Sequence, residues 1–297
     1  MIRLLVTGKT GQVATALSTR GAARTGIEVL AIGRPEIDLE RHEGFASAIR
    51  AARPDAVVNA AAFTAVDQAE SEEARATAIN RDGAEAVARA AWQSGVPLIH
   101  LSTDYVYPGD KLAPYLESDA TGPLGAYGRS KLAGEEAVRK AHPNALIFRT
   151  AWVYSPYGSN FVKSMLRLGA ERSVISVVDD QTGNPTSALD IAEAILRIVP
   201  DLRAGAAGGT FHLAGEGFVT WCGFAREIFR QAAVLGGPSP EVRAITTADY
   251  PTPARRPANS RLDSSAFRAR FGFGLRPWPE ALAETLENLL QLRKLRT

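Results

Sequence analysis

The sequence predicts an α/β fold, a doubly wound parallel sheet followed by a smaller C-terminal lobe, on three observations. Short β-branched runs alternate with longer helical patterns through the first half of the chain, the rhythm of right-handed βαβ units. Those runs are apolar at successive positions, as strands covered on both faces require. A glycine-rich turn stands directly between the first strand and the first helix, where open parallel sheets meet their ligands.

Taken in order, Ile2–Thr7 reads as a strand and Gly11–Arg20 as a helix. Glu28–Ile32 is a second strand, Arg41–Ala52 a helix, and Ala56–Asn59 a third strand. Glu72–Ser94 reads as one long Ala-rich helix, Pro97–Ser102 as a fourth strand, Gly128–Ala141 as a helix and Ala145–Thr150 as a fifth strand. Beyond Thr150 the rhythm loosens. Asn160–Leu168 and Ala188–Ile198 are helical patterns, Val174–Val178 and Phe211–Ala214 are strands, and Thr220 caps a helix to Val234. Gly/Pro-rich and Pro/Arg-rich stretches follow at Gly236–Pro240 and Pro251–Pro257, and Glu280–Leu292 is a closing amphipathic helix.

The bulk properties narrow the function. With 297 residues, 45% hydrophobic and 22% charged, core burial is no limitation. Lys plus Arg number 34 against 32 Asp plus Glu, a net charge of +2, so no broad field attracts nucleic acid. A local basic site for a phosphorylated substrate stays open. Cys222 is the only cysteine, which excludes an internal disulfide and a Cys-rich metal site; between Trp221 and Gly223 it reads as a small buried hydrophobe. No apolar run reaches the roughly 18 residues of a membrane span, and the opening run is too short for a signal peptide. A cytoplasmic location is expected.

Gly8-Lys9-Thr10-Gly11-Gln12-Val13-Ala14 carries the cofactor argument. Gly8 permits the tight turn and Gly11 a close backbone approach to a pyrophosphate. The N–H groups at Gln12 and Val13 open a helix whose N-terminus favours anions. At the end of the second strand, an acidic residue would accept from a ribose and repel an added phosphate. Arg34 stands there instead, which suits a 2′-phosphate and favours NADPH, with NADH as the alternative cofactor; a surface arginine without a ligand is the other reading. Asp38 and Leu39 follow as candidates to flank the adenine. Ala60, Ala61 and Ala62 end the third strand, small enough for a cofactor to lie against their backbone.

Tyr127 and Lys131 form Tyr-x-x-x-Lys, one face of a helix. A neighbouring ammonium lowers a phenol's pKa, so Tyr127 is expected to act as a general acid toward a carbonyl. Thr103, at the end of the fourth strand, is the candidate hydroxyl for the same carbonyl oxygen. Ser102 is the alternative, since strand alternation points only one of the two toward the cofactor.

With these residues in place, the chain resembles the extended short-chain dehydrogenases and, within them, the dTDP-4-dehydrorhamnose reductase family. The matching segments run in family order: Gly8–Val13, Asn59–Asp67, Ser102–Tyr107, Tyr127–Glu135, Arg149–Tyr154, Asp179–Thr186 and Arg256–Ser260. The resemblance implies a Rossmann-like sheet, with residues 1–155 as an NADP-binding domain. Residues 156–297 would be mainly a substrate-binding lobe, with segments returning to the sheet. It implies reduction, with NADPH, of the 4-keto group of dTDP-4-dehydro-β-L-rhamnose. Tyr127 would be the acid, Lys131 its helper and holder of the nicotinamide ribose, and Thr103 the oxygen-binding hydroxyl. Thr103, Asp104 and Trp152 match positions that touch the sugar, and Arg256 is the candidate for the substrate diphosphate. Before that likeness is counted, Trp152 reads first as core, and Arg256 reads equally as a solvated loop charge.

Some relatives form magnesium-bridged dimers through a carboxylate on the first helix. Val13-Ala14-Thr15-Ala16-Leu17 offers none, so no metal is expected, and the chain is expected as a monomer or homodimer. Ala14 and Tyr107 also depart from the commonest choices, a third glycine and a phenylalanine. Dehydratases of the superfamily follow Thr-Asp with Glu, and here Tyr105 follows. Epimerases share the Tyr and Lys, and a non-catalytic regulatory subunit resembling that of methionine adenosyltransferase keeps many of the motifs.

Overall fold

A computed structural model describes residues 1–203, 205 and 207–294. Five strands of the main sheet are β1 (Ile2–Thr7), β2 (Ile27–Ile32), β3 (Ala56–Asn59), β4 (Leu98–Thr103) and β5 (Leu146–Thr150). Two lobe strands, β6 (Val174–Val178) and β8 (Glu241–Ile245), bracket β7 (Gly209–His212), which returns to the main sheet. The sheet runs β7-β5-β4-β3-β1-β2, with every pair parallel. The order reverses between β1 and β3, so a crevice opens at their carboxyl ends, where such sheets bind ligands.

Both faces are covered, as the apolar runs demand. Leu4, Val6, Ala56, Val58, Ile99, Leu146 and Phe148 face one side, against helices α1 (Gln12–Ala22) and, later in the chain, α6 (Ala188–Arg203). Leu5, Val57, Leu98 and Ile147 face the other, against α2 (Phe45–Ala52), α3 (residues 73–93) and α4 (Ala126–Ala141). Helix α3 runs through Glu73–Thr77, a π-helical Ala78–Gly83 and Ala84–Gln93.

Helix α1 shows what holds these elements. Its N-cap, Gly11, makes no side-chain cap, so the helix depends on packing. Leu17 is fully buried in one core cluster with Ile191 and Ile195 of α6, and a side chain of that size contributes roughly 1.5–3 kcal/mol when fully buried.

The lobe has its own core. Helix α5 (Phe161–Glu171), α7 (Trp221–Val234) and α9 (Trp278–Lys294) enclose the two-stranded parallel pair β6–β8. Cys222 is fully buried there, as its reading as a small hydrophobe expects. Helix α8 (Ser265–Phe271) packs on the main-sheet side through Phe267. No described helix is long and apolar enough to cross a membrane.

Two expectations are corrected and two elements are added. Helix α2 begins at Phe45 rather than Arg41, because Gly44 takes φ 86 and breaks the helix there. The single helix expected at Glu72–Ser94 carries a π turn. Strand β8 and helix α8 were not anticipated.

Candidate functional site

The glycine turn is shaped for a pyrophosphate. Gly8 sits at φ 97, a conformation that favours glycine, and a Cβ there would meet Ala61 at 3.5 Å. A Cβ at Gly11 would meet nothing within 4 Å, so the approach to the helix start is open. With no side-chain cap and no acidic residue in the first turn of α1, the backbone N–H groups at Gln12 and Val13 stay available to an anion. The side chains of those two residues are otherwise engaged. Val13 is buried in the core. Gln12 accepts from Ser155 Oγ at 2.8 Å and Asn160 Nδ2 at 2.9 Å, tying the glycine turn to the start of the lobe.

The crevice between β1 and β3 is pinned from below. Thr7 Oγ1 donates to Asn59 Oδ1 at 2.7 Å and accepts from the Ala61 N–H at 3.1 Å. Asn59 Nδ2 lies 3.1 Å from His100 Nδ1. Ala61, in the middle of the Ala60–Ala62 run, therefore sits opposite Gly8. At the end of β2, Arg34 is exposed, has no partner among the described residues, and lines a cleft with Asp38 and Arg41. Asp38 turns its Oδ1 onto the Glu40 N–H at 2.9 Å, and Leu39 packs its backbone against Gly83. Lys9 pairs with Glu36 at 2.7 Å. An open glycine turn, uncapped N–H groups and an unpaired arginine at the ribose end fit a phosphorylated dinucleotide.

Tyr127 lies in the first turn of α4 and Lys131 one turn on. Tyr127 is half-buried, edge-on to Tyr105 at 5.6 Å. Burial pushes its phenol up to about 12, with the nearby Thr103 hydroxyl opposing and Asp104 adding. Burial pulls Lys131 down to about 8, with Glu135 opposing. Its Nζ donates to the Leu101 carbonyl at 2.7 Å. The expected acidification of the phenol by the amine is thus absent here: burial dominates both groups, and Tyr127 stays fully protonated through the neutral range.

At the strand end Ser102 and Thr103 take different partners. Ser102 turns away and donates to Glu135 Oε1 at 2.6 Å. Thr103 donates to Asp104 Oδ1 at 2.9 Å and accepts from the Tyr105 N–H at 3.2 Å. Asp104 is 2% exposed, and its Oδ2 has no hydrogen-bond partner. Burial raises its carboxyl to about 7, against the nearby Thr103 and Ser260 hydroxyls.

Trp152 takes φ 46, and its ring stacks on Trp221 at 3.5 Å and 7°. Its Nε1 donates to Ser260 Oγ at 3.2 Å. Arg256 is not a solvated loop charge: it pairs with Asp67 at 2.8 Å and also bonds Thr252. Thr103, Asp104, Tyr127 and Lys131 come together at the carboxyl edge of β4, and the Ser260 hydroxyl links Trp152 to that cluster. Asp67, Trp221, Ser260, Asn80 and the Glu135–Arg149 pair were not singled out in the sequence. Asn80 sits in the π turn, bonded to the Phe63 backbone and, at 2.9 Å, to Ser130 beside Lys131. Asp67, Glu135, Arg149 and Ser260 do fall inside family-like segments, which is their one signal.

Comparison with known proteins places the chain in a family. Residues 2–291 match the family described as RmlD substrate binding domain. The chain is similar to the dTDP-4-dehydrorhamnose reductase of Sinorhizobium fredii, at 50% identity over 97% of this chain and 98% of the relative. Among solved structures it is similar to a dTDP-4-dehydrorhamnose reductase from Clostridium acetobutylicum, with a TM-score of 0.90 and 35% identity over 98% of this chain and 100% of the other. It is also similar to the Bacillus anthracis dTDP-4-dehydrorhamnose reductase solved with NADP, with a TM-score of 0.87 and 34% identity over 96% and 99%.

Proposed function

The chain belongs to the dTDP-4-dehydrorhamnose reductase family of the extended short-chain dehydrogenases, and on that premise we propose that it reduces the 4-keto group of dTDP-4-dehydro-β-L-rhamnose to dTDP-L-rhamnose. The cofactor is NADPH, which supplies the hydride when bound. The observation that carries this reading is the Tyr127 phenol beside the Thr103 hydroxyl, at the carboxyl edge of a parallel sheet whose first turn is an open glycine turn.

The geometry supports the following roles. Tyr127 donates to the carbonyl oxygen, and Thr103 supplies the second hydroxyl donor by turning its proton from Asp104 Oδ1 to the substrate. As charge grows on that oxygen it becomes a stronger base than a phenolate, so even a phenol raised to about 12 yields its proton. Lys131 offers a buried ammonium to the nicotinamide ribose and to the phenolate left behind. Asp104, with its free Oδ2, and the Trp152 ring meet the sugar. Arg256 meets the diphosphate by exchanging Asp67 for it. Residues 1–155 carry the cofactor and 156–297 mainly the sugar nucleotide, with β7 returning to the sheet. We further take the chain to act in the cytoplasm as a monomer or homodimer, which a sedimentation measurement separates.

The test is direct. Supplied with enzymatically generated dTDP-4-dehydro-β-L-rhamnose, the purified chain consumes one NADPH per dTDP-L-rhamnose formed. Product without net NADPH loss points to an epimerase and overturns the reading, as does NADPH binding with no turnover.

Two variants probe the binding sites. Arg34→Ala is expected to weaken NADPH binding about tenfold, about 1.4 kcal/mol, and to leave NADH binding unchanged; fluorescence titration with both cofactors measures it. In Gly183→Ala, the new Cβ would lie 2.5 Å from Trp152 Cε2 and 2.7 Å from Ser260 Oγ. Such overpacking costs about 1–3 kcal/mol, so the melting temperature falls and KM for the sugar nucleotide rises more than KM for NADPH.

A further inference from the structure

Helix α4 carries more than Tyr127 and Lys131. One turn past Lys131, Glu135 is fully buried, and a buried carboxylate persists only when paired and hydrogen-bonded. Its Oε1 accepts from Ser102 at 2.6 Å and Arg149 Nε at 2.9 Å. Its Oε2 accepts from Arg149 at 2.7 Å and Arg139 at 2.6 Å. Ser102 precedes Thr103, so this one carboxylate fastens the helix bearing the phenol and the amine to the strand end bearing the hydroxyl. Arg149 extends the network to the Tyr107 hydroxyl at 2.6 Å, which lies 2.7 Å from His212 on β7.

We propose, resting on the reductase reading above, that Glu135 is a positioning residue for the reduction: through Ser102 it sets the spacing of Tyr127 and Thr103, and its charge, one turn from Lys131, keeps that buried amine an ammonium. Burial lowers Lys131, and Glu135 is the group that opposes it. The other groups around Lys131 give no such support. His100 on β4 is held neutral by burial and by the Lys131 charge itself. Tyr127 on the same helix is protonated, Asn80 on the π turn is uncharged, and Asp104 acts on the phenol. Burial pushes the Glu135 carboxyl up, but Arg149, Ser102 and Arg139 outweigh it, so it stays ionised. Removing its charge would leave the Arg149 cation uncompensated as well, which disfavours the ammonium further.

The experiment is the pH profile of kcat/KM at subsaturating NADPH, which reports groups of the free enzyme. The wild type is expected to lose activity above about pH 8, through Lys131. Glu135→Gln keeps an acceptor for Ser102 and removes the charge, and is expected to move that midpoint down by about one unit or more. Ser102→Ala cuts the tether and keeps the charge. It is expected to lower kcat about tenfold, in the range of a lost positioning contact, with KM for NADPH and the midpoint unmoved. An unmoved midpoint in folded Glu135→Gln, or wild-type kcat in Ser102→Ala, overturns the proposal. Should Glu135→Gln not fold, Glu135→Asp keeps the charge with a shorter reach: a lowered kcat at an unchanged midpoint supports the proposal, and a lowered midpoint overturns it. A wild type that consumes no NADPH sinks the reductase reading itself. Normal wild-type turnover with unaffected variants sinks only the role of Glu135.

Discussion

Tyr127→Phe is expected to lower kcat by at least about a hundredfold, a loss of about 2.7 kcal/mol of transition-state stabilisation, while NADPH binding survives. The substitution removes one oxygen from a half-buried ring that packs edge-on to Tyr105 and against Phe63 and Ala76. Packing is therefore retained, and the melting temperature should stay within a few degrees of wild type. Thr103 still hydrogen-bonds the carbonyl oxygen, which keeps some turnover above background. Steady-state kinetics beside a fluorescence titration of NADPH separates the two effects. Wild-type turnover in this variant would remove Tyr127 from the mechanism.

Lys131→Met should cost turnover on the same scale and weaken NADPH as well, because the amine serves both the ribose and the phenol. Methionine nearly matches the lysine stem in volume. It removes a charge that is 3% exposed and leaves the Leu101 carbonyl without its 2.7 Å donor. The first change relieves a desolvation cost, and the second costs about 1–3 kcal/mol, so stability near neutrality changes little. The pH dependence of stability is more telling. In the folded chain Lys131 titrates near 8, below the usual 10.5 of an exposed lysine. Between those values the unfolded chain binds more protons than the folded one, so wild-type stability gains from this group as pH rises through that window. Below about pH 8 both states are protonated and the contribution is flat. Chemical denaturation across pH 7–11 should show this gain in the wild type and its loss in Lys131→Met, with turnover measured in parallel.

Much of this was legible in the sequence because it is local or periodic. Gly8 and Gly11 announce a turn by their spacing, and Tyr127 and Lys131 share a helix face by theirs. The strands are readable because both faces are covered, so Val57 and Val58 are both apolar although they point to opposite cores. What escaped depends on contacts between distant segments. The π turn at Ala78–Gly83 lies in an Ala-rich stretch whose pattern suits an uninterrupted helix, and Asn80 reaches back to the Phe63 backbone. Strand β8 looks like surface loop, with Glu241 and Arg243 exposed after a Gly/Pro-rich stretch, and it forms because β6 offers it an edge. The Trp152–Trp221 stack joins two segments far apart in the chain. Burial of the phenol likewise has no local sign, which is why the expected lowering of the Tyr127 pKa gave way to a rise.

A crystal structure of the chain with NADP⁺ and dTDP-L-rhamnose bound tests the central claim most directly. The account requires Tyr127 Oη and Thr103 Oγ1 both within about 3.2 Å of the sugar's O4, with Lys131 on the nicotinamide ribose and the pyrophosphate over Gly11. A sugar whose O4 lies out of reach of both hydroxyls, or a dinucleotide bound away from the glycine turn, would contradict it.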